Sequence, residues 1–108
     1  NIYPENVSVG LEQPGVREWT TGKFVLQVQE DADRNRRWSI AIELAPNESA
    51  SESRRRAATD AILTHLVRLN SEFAHYVPAE YRIPRVELLP TGDPTYFPSG
   101  VKHRYTRR

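Results

Sequence analysis

Apolar and polar side chains alternate in two runs of this chain. In the first, Phe24, Leu26 and Val28 fall on one face and Gln27 and Gln29 on the other; in the second, Trp38, Ile40, Ile42 and Leu44 alternate with Ser39, Ala41 and Glu43. A period of two predicts half-buried strands, because successive side chains of a strand point to opposite faces. The stretch between them, Glu30-Asp31-Ala32-Asp33-Arg34-Asn35-Arg36-Arg37, is polar and turn-rich, so the pair predicts an antiparallel hairpin. The period then lengthens. Ala58, Ile62, Leu66, Leu69 and Phe73 recur at spacings of four, four, three and four. That is the stripe of an amphipathic helix, here roughly 20–25 residues long, with a kink placed near Asn70-Ser71 and an end at Pro78. Ser49 or Ser51 can cap it, and Glu52 lies in its first turn, where a carboxylate suits the positive end of the helix dipole.

The flanks are shorter and more irregular. Ile2-Tyr3 precedes proline and is therefore extended, whereas Pro4 suits the first position of a short helix. Val7 and Leu11 share a face of that helix; Gly10 and Pro14-Gly15 mark its exit, and Trp19 to Gly22 reads as a turn. Pro84 to Leu89 predicts a short strand with Val86 and Leu88 inward. Residues 90–108 read as a tail rich in Pro, Gly, Thr and Tyr that ends basic. The order is short helix, strand, strand, long helix, strand, tail. It predicts a two-layer α+β domain, ferredoxin-like, with a mainly antiparallel sheet and its helices on one face. Trp38, Ile40, Ile42, Ile62, Leu66, Val86 and Leu88 should share its core. Such a fold serves many functions, so individual residues must carry the functional argument.

Composition narrows the classes. At 108 residues a single domain spanning 1–108 is expected. The longest apolar runs are three residues, Phe24-Val25-Leu26 among them, against about 20 for a membrane span, so no membrane partner is expected. The absence of cysteine excludes disulfide scaffolds, cysteine zinc sites, iron–sulfur clusters and thiol nucleophiles. The chain starts at Asn1 without a charged-then-apolar leader and holds no Met. The expectation is a cytoplasmic segment cut from a longer chain.

Several site chemistries find no support. His65 and His75 stand about 15 Å apart along one helix and cannot share a metal; His65 is expected on the surface or its rim, and no metal site is expected. There is neither a Gly-x-Ser-x-Gly elbow nor a Gly-x4-Gly-Lys-Ser/Thr phosphate loop. Basic residues form three clusters: Arg34, Arg36 and Arg37; Arg54-Arg55-Arg56; and Lys102-His103-Arg104 with Arg107-Arg108. An RNA-recognition module would also need several stacking aromatics on a central strand. Gly22 to Val28 offers only Phe24, and a net charge of +1 exerts little pull on phosphates, so nucleic acid is not expected as a partner.

Two segments serve no evident folding need. Asn1-Ile2-Tyr3-Pro4-Glu5-Asn6-Val7, followed by Gln13-Pro14-Gly15-Val16, resembles the opening of the small C-terminal domain of adenylate-forming ligases. There a Gly-x-Asn-aromatic-Pro stretch follows the inter-domain hinge. Pro98-Ser99-Gly100-Val101-Lys102-His103-Arg104-Tyr105 resembles the glycine loop that presents a lysine near the C-terminus of the same enzymes. The chain is most similar to the phenylacetate–coenzyme A ligase family, with its coenzyme F390 synthetase and CapK-like relatives, and the resemblance runs along nearly its whole length. It departs from the pattern at Ser8, where the family often has Glu. It departs again at Val101, which intervenes between glycine and lysine, and at Arg104, which comes two residues after the lysine.

The resemblance implies the lid domain of an ATP-dependent acid–thiol ligase. Lys102 would be the catalytic residue, on a loop supported by Ser99, Gly100 and Arg104. A mobile ammonium can bridge the carboxylate and α-phosphate as charge develops between them, and glycine beside it permits close approach to a nucleotide. The implied cofactors are ATP and Mg²⁺, held mainly by a large N-terminal domain of the same chain, and coenzyme A. The implied partners are that N-terminal domain and a small carboxylic acid. The lysine stands out, since Lys23 is the other lysine among thirteen arginines. The competing readings are a ferredoxin-like module binding a small ligand or RNA without catalysis, and a purely structural or interaction domain.

Overall fold

The computed structural model describes residues 4–30, 32, 33, 36–69 and 83–107. Pro4 opens helix α1 (Pro4–Leu11), which buries Val7 and Leu11. Gly10 is not the exit of this helix but part of it, and it is the point of contact with the long helix. A Cβ there would lie 2.8 Å from Ile62 Cα. The chain then turns through Trp19, whose indole N–H donates to Gly15 O at 2.7 Å.

Strands β1 (Thr20–Glu30) and β2 (Arg36–Leu44) form the predicted antiparallel hairpin, with Leu26 opposite Ile40 and Phe24 opposite Ile42. Thr20 to Gly22, read from sequence as a turn, belongs to β1. The strand bulges there, so that Thr20 pairs with Leu44 while Phe24 pairs with Ile42, and Gly22 takes φ 90°. Three residues of one strand against one of the other require such a kink, and glycine accepts it.

Helix α2 (Glu52–Leu69) begins where expected. Ser51 is its cap, accepting the Arg54 N–H at 3.1 Å. The three arginines at its dipole-unfavourable end are offset locally. Arg54 pairs with Glu48 at 3.0 Å and lies over the Trp19 ring, and Arg55 donates to Glu52 at 2.9 Å. Phe73, the proposed kink at Asn70-Ser71, the helix end at Pro78 and His75 all lie outside the described residues. His65 is half-buried, a rim position as predicted.

After the α2 crossover, β3 (Arg85–Leu89) joins β2 in parallel. A fourth strand, β4 (Thr106–Arg107), joins β1 in parallel within what the sequence reads as a tail. Two residues carry no readable periodicity. The sheet order is β3-β2-β1-β4. The predicted α+β class, ferredoxin-like with both helices on one face, is the fold observed. One core joins Val7, Leu11, Phe24, Ile40, Ile42, Ala58, Ile62, Leu66 and Val86; Trp38 is in it and Leu88 packs against its side. No described helix is long and apolar enough to cross a membrane.

The other face of the sheet departs from the predicted polar surface. Val25, Ala41 and Phe97 form a second, smaller buried cluster there. Glu43, counted among the outward polar positions, is also buried. It accepts the Thr21 hydroxyl and the Gly92 N–H, each at 2.8 Å. The chain that covers this face is the segment following β3.

Candidate functional site

That segment is held to the sheet by a sequence of specific bonds. Thr91 Oγ donates to Leu44 O at 2.6 Å, beside the Gly92–Glu43 contact. Asp93 then folds one tight turn, its carboxylate accepting the N–H groups of Thr95 (3.1 Å) and Tyr96 (3.0 Å). A short acidic side chain suits this role because it can satisfy backbone donors two and three residues on. The turn drives Phe97 into the second cluster and leaves Tyr96 beside Gln27, to which its hydroxyl donates at 3.1 Å.

The loop then swings outward. Pro98, Ser99, Gly100, Val101 and Lys102 are all exposed. Gly100 sits at φ 80°, a conformation a side chain resists, with no atom near enough to meet an added Cβ. The loop returns at His103 and Tyr105. His103 Nε2 lies 2.7 Å from Phe24 O, and its ring stacks on Phe97 at 5.4 Å and meets Tyr105 edge-on at 4.5 Å. Tyr105 O accepts the Leu26 N–H at 2.7 Å, which starts β4. Arg107 closes the loop on itself, donating to Thr95 O while its guanidinium lies 4.6 Å from the Tyr96 ring centre.

This course creates a cleft of about 660 Å³ lined by Tyr96, Pro98, Val101, Lys102, His103, Arg104 and Arg107. Its lining holds three permanent cations and no carboxylate. Arg107 is committed to the loop's own closure. Lys102 and Arg104 make no hydrogen bond or ion pair among the described residues. An ammonium and a guanidinium left unpaired in one cleft can receive an anionic ligand, and a phosphate or carboxylate suits both. No three His, Asp or Glu side chains among the described residues come close enough to hold a metal ion.

The overall fold is found elsewhere. The crystal structure of a domain of phenylacetate-coenzyme A ligase from Bacteroides vulgatus ATCC 8482 matches 99% of this chain and 83% of its own length, with a TM-score of 0.56 and 23% sequence identity. The two share a fold. No protein-family model and no curated protein matches the sequence.

Of the residues singled out from sequence, Lys102 and Arg104 come together in the cleft, with Gly100 and Ser99 on the loop that forms its rim. The opening motif at Asn1 to Tyr3 lies outside the described residues. The other two basic clusters do not join the site. Arg54 and Arg55 are bound within and just before α2, and of the hairpin cluster only Arg37 has a described side chain, itself with a partner. Sequence reasoning missed His103, Tyr96 and Arg107 as members of the site. The one signal available was the spacing Asp93-x-Thr95-Tyr96, which marks a side-chain-capped turn; the inward setting of His103 between exposed Lys102 and Arg104 has no trace in the sequence.

Proposed function

We propose that this chain is the C-terminal lid domain of an ATP-dependent acyl-adenylate-forming acid–thiol ligase of the phenylacetate–coenzyme A ligase kind, in the cytoplasm. Lys102 is the cation it brings to the reacting carboxylate and α-phosphate. The observation that carries this reading is Lys102 itself. It is exposed, free of partners among the described residues, and carried on a glycine loop beside a cleft lined with cations. The shared fold and the glycine-lysine motif support it from two sides.

Within this reading the chain's own residues divide the work. Lys102 approaches the developing negative charge, where a preorganised ammonium in a water-poor site stabilises the transition state far more than it would in water. Gly100 gives the loop a backbone course that keeps side-chain bulk away from the nucleotide. Arg104, on the same cleft, attracts phosphate without entering the reaction. ATP and the thiol of coenzyme A supply the activation and the acceptor. The cleft offers phosphate partners but no carboxylate for Mg²⁺, so the proposal assigns the metal, the acid pocket and most nucleotide contacts to a large N-terminal domain. Domain closure over that site excludes water and completes the constellation.

Removal of residues 1–108 from the full-length ligase tests this. Acid-dependent pyrophosphate release should fall by about a thousandfold or more while ATP still binds, because the transition-state cation is lost and the ground-state pocket is not. The 108-residue chain alone should form no adenylate. A truncated enzyme that still adenylates at a rate within about threefold of the intact one contradicts the reading.

A further inference from the structure

Leu26 N–H points to the outer edge of β1, where Tyr105 O accepts it. Backbone groups two residues apart on a strand point to the same edge, so the Phe24 carbonyl faces that edge too. β4 is two residues long and its pairing with β1 begins at Leu26, so it provides no backbone donor for Phe24 O. The imidazole of His103 takes its place, with Nε2 2.7 Å from Phe24 O. A carbonyl oxygen only accepts, so the ring must donate from Nε2. The neutral Nε2–H tautomer and the imidazolium both do so. The ring is also fixed in orientation, stacked on buried Phe97 and met edge-on by Tyr105, which in turn contacts Phe24 at 4.9 Å.

His103 therefore anchors the loop to the outer edge of β1 at the residue between Lys102 and Arg104. On its N-terminal side the nearest anchor into the sheet is Phe97, five residues before Lys102. Without the imidazole, Lys102 would hang from an exposed stretch held only at Phe97 and Tyr105. We propose that His103 is the positioning residue that sets Lys102 over the cleft, by donating from Nε2 to the Phe24 carbonyl. The proposal rests on the reading of Lys102 as the adenylating lysine. It explains how one side chain can be free of partners and still arrive at a defined place. His103 touches no reacting group, and its effect passes wholly through its neighbour.

The test uses the full-length ligase and measures adenylation and thioester formation from pre-made adenylate separately. His103→Leu keeps apolar volume between Phe97 and Tyr105 but cannot donate, whereas His103→Gln keeps a donor. His103→Leu should lower kcat for adenylation by about tenfold to a hundredfold, with KM for acid and ATP nearly unchanged, because a misplaced catalytic group is felt in the transition state. Thioester formation should stay within about threefold of wild type, which also reports that the variant is folded. His103→Gln should recover most of the loss. The double variant with Lys102→Ala should be no slower than Lys102→Ala alone, since both changes remove one interaction. Adenylation unaffected in His103→Leu, equal losses in the Leu and Gln variants, or losses that multiply in the double variant each overturn the positioning role while leaving the reading of Lys102 intact. Lys102→Ala without effect on adenylation overturns both.

Discussion

Gly10 shows how one residue can control the approach of two helices. A Cβ at that position would meet backbone atoms of Ile62 at 2.8 and 3.0 Å, and backbone cannot rotate aside. Gly10→Ala gains helix propensity of about 1 kcal/mol or less, but the overpacking it forces costs about 1–3 kcal/mol, so the sign is destabilising. Denaturant melts should show a lowered midpoint; an unchanged or raised one would mean the helices can separate freely. Glu52 offers a test in pH. The Arg55 hydrogen bond holds its carboxyl below the usual carboxylate range; desolvation opposes this, and the charges of Arg55 and Arg56 add to it. A depressed carboxylate contributes stability above its unfolded value that disappears as pH falls through its folded one. A small stability gap between wild type and Glu52→Gln should thus be present at neutral pH and close in acid; a gap independent of pH would show that charge plays no part. The Gly10 contact has no trace in the sequence. Gly10 reads as a helix exit because glycine often is one, and only the position of α2 reveals the packing reason. Lys102 stands out in the sequence because it is rare in this chain and follows a glycine by two residues, whereas His103 looks there like one more cation.

At the scale of elements, the described parts of the long periodic segments match their predicted elements because each has one dominant environment. Ala58, Ile62 and Leu66 are all fully buried along one side of α2. Ile62→Ala should accordingly cost about 2–5 kcal/mol, the range for losing buried methyl groups together with the cavity left behind. A loss under about half a kcal/mol in denaturant melts would show that the helix turns a different face to the sheet. The hairpin was equally clear, but its second face was not. Val25 and Ala41 look like ordinary strand positions until the loop after β3 covers them with Phe97. That loop has no period of its own. Its course is set locally by Asp93 and, across large separations in sequence, by the Glu43 carboxylate and His103. Long-range bonds of this kind leave little trace in a local pattern, and for the same reason β4 went unread.

For the whole molecule, the fold shared with a phenylacetate-coenzyme A ligase domain and the cationic cleft bear on one question, which is what the surface is built to meet. A basic cleft invites comparison with nucleic-acid binders, but their affinity needs bases stacked on exposed aromatics as well as net positive charge. Here Phe24 is fully buried, Tyr96 lies beside Arg107, and the net charge is +1. The 108-residue chain should show no measurable affinity for single-stranded RNA or DNA at physiological salt in a fluorescence titration. Micromolar, salt-sensitive binding would instead favour an RNA module. The central claim concerns Lys102, and it is tested most directly by the two half-reactions of the full-length ligase carrying Lys102→Ala. Adenylation of the acid by ATP should slow by orders of magnitude, since each 1.4 kcal/mol of lost transition-state stabilisation is about tenfold in rate and a preorganised cation contributes several kcal/mol. Thioester formation from synthetic adenylate should change far less, because the reading gives Lys102 no part in that step, and Arg104→Ala should raise KM for ATP in adenylation while leaving kcat of both steps within about threefold. A Lys102→Ala enzyme that adenylates within about threefold of wild type would contradict the account and reduce Lys102 to one cation of a solvated basic tail.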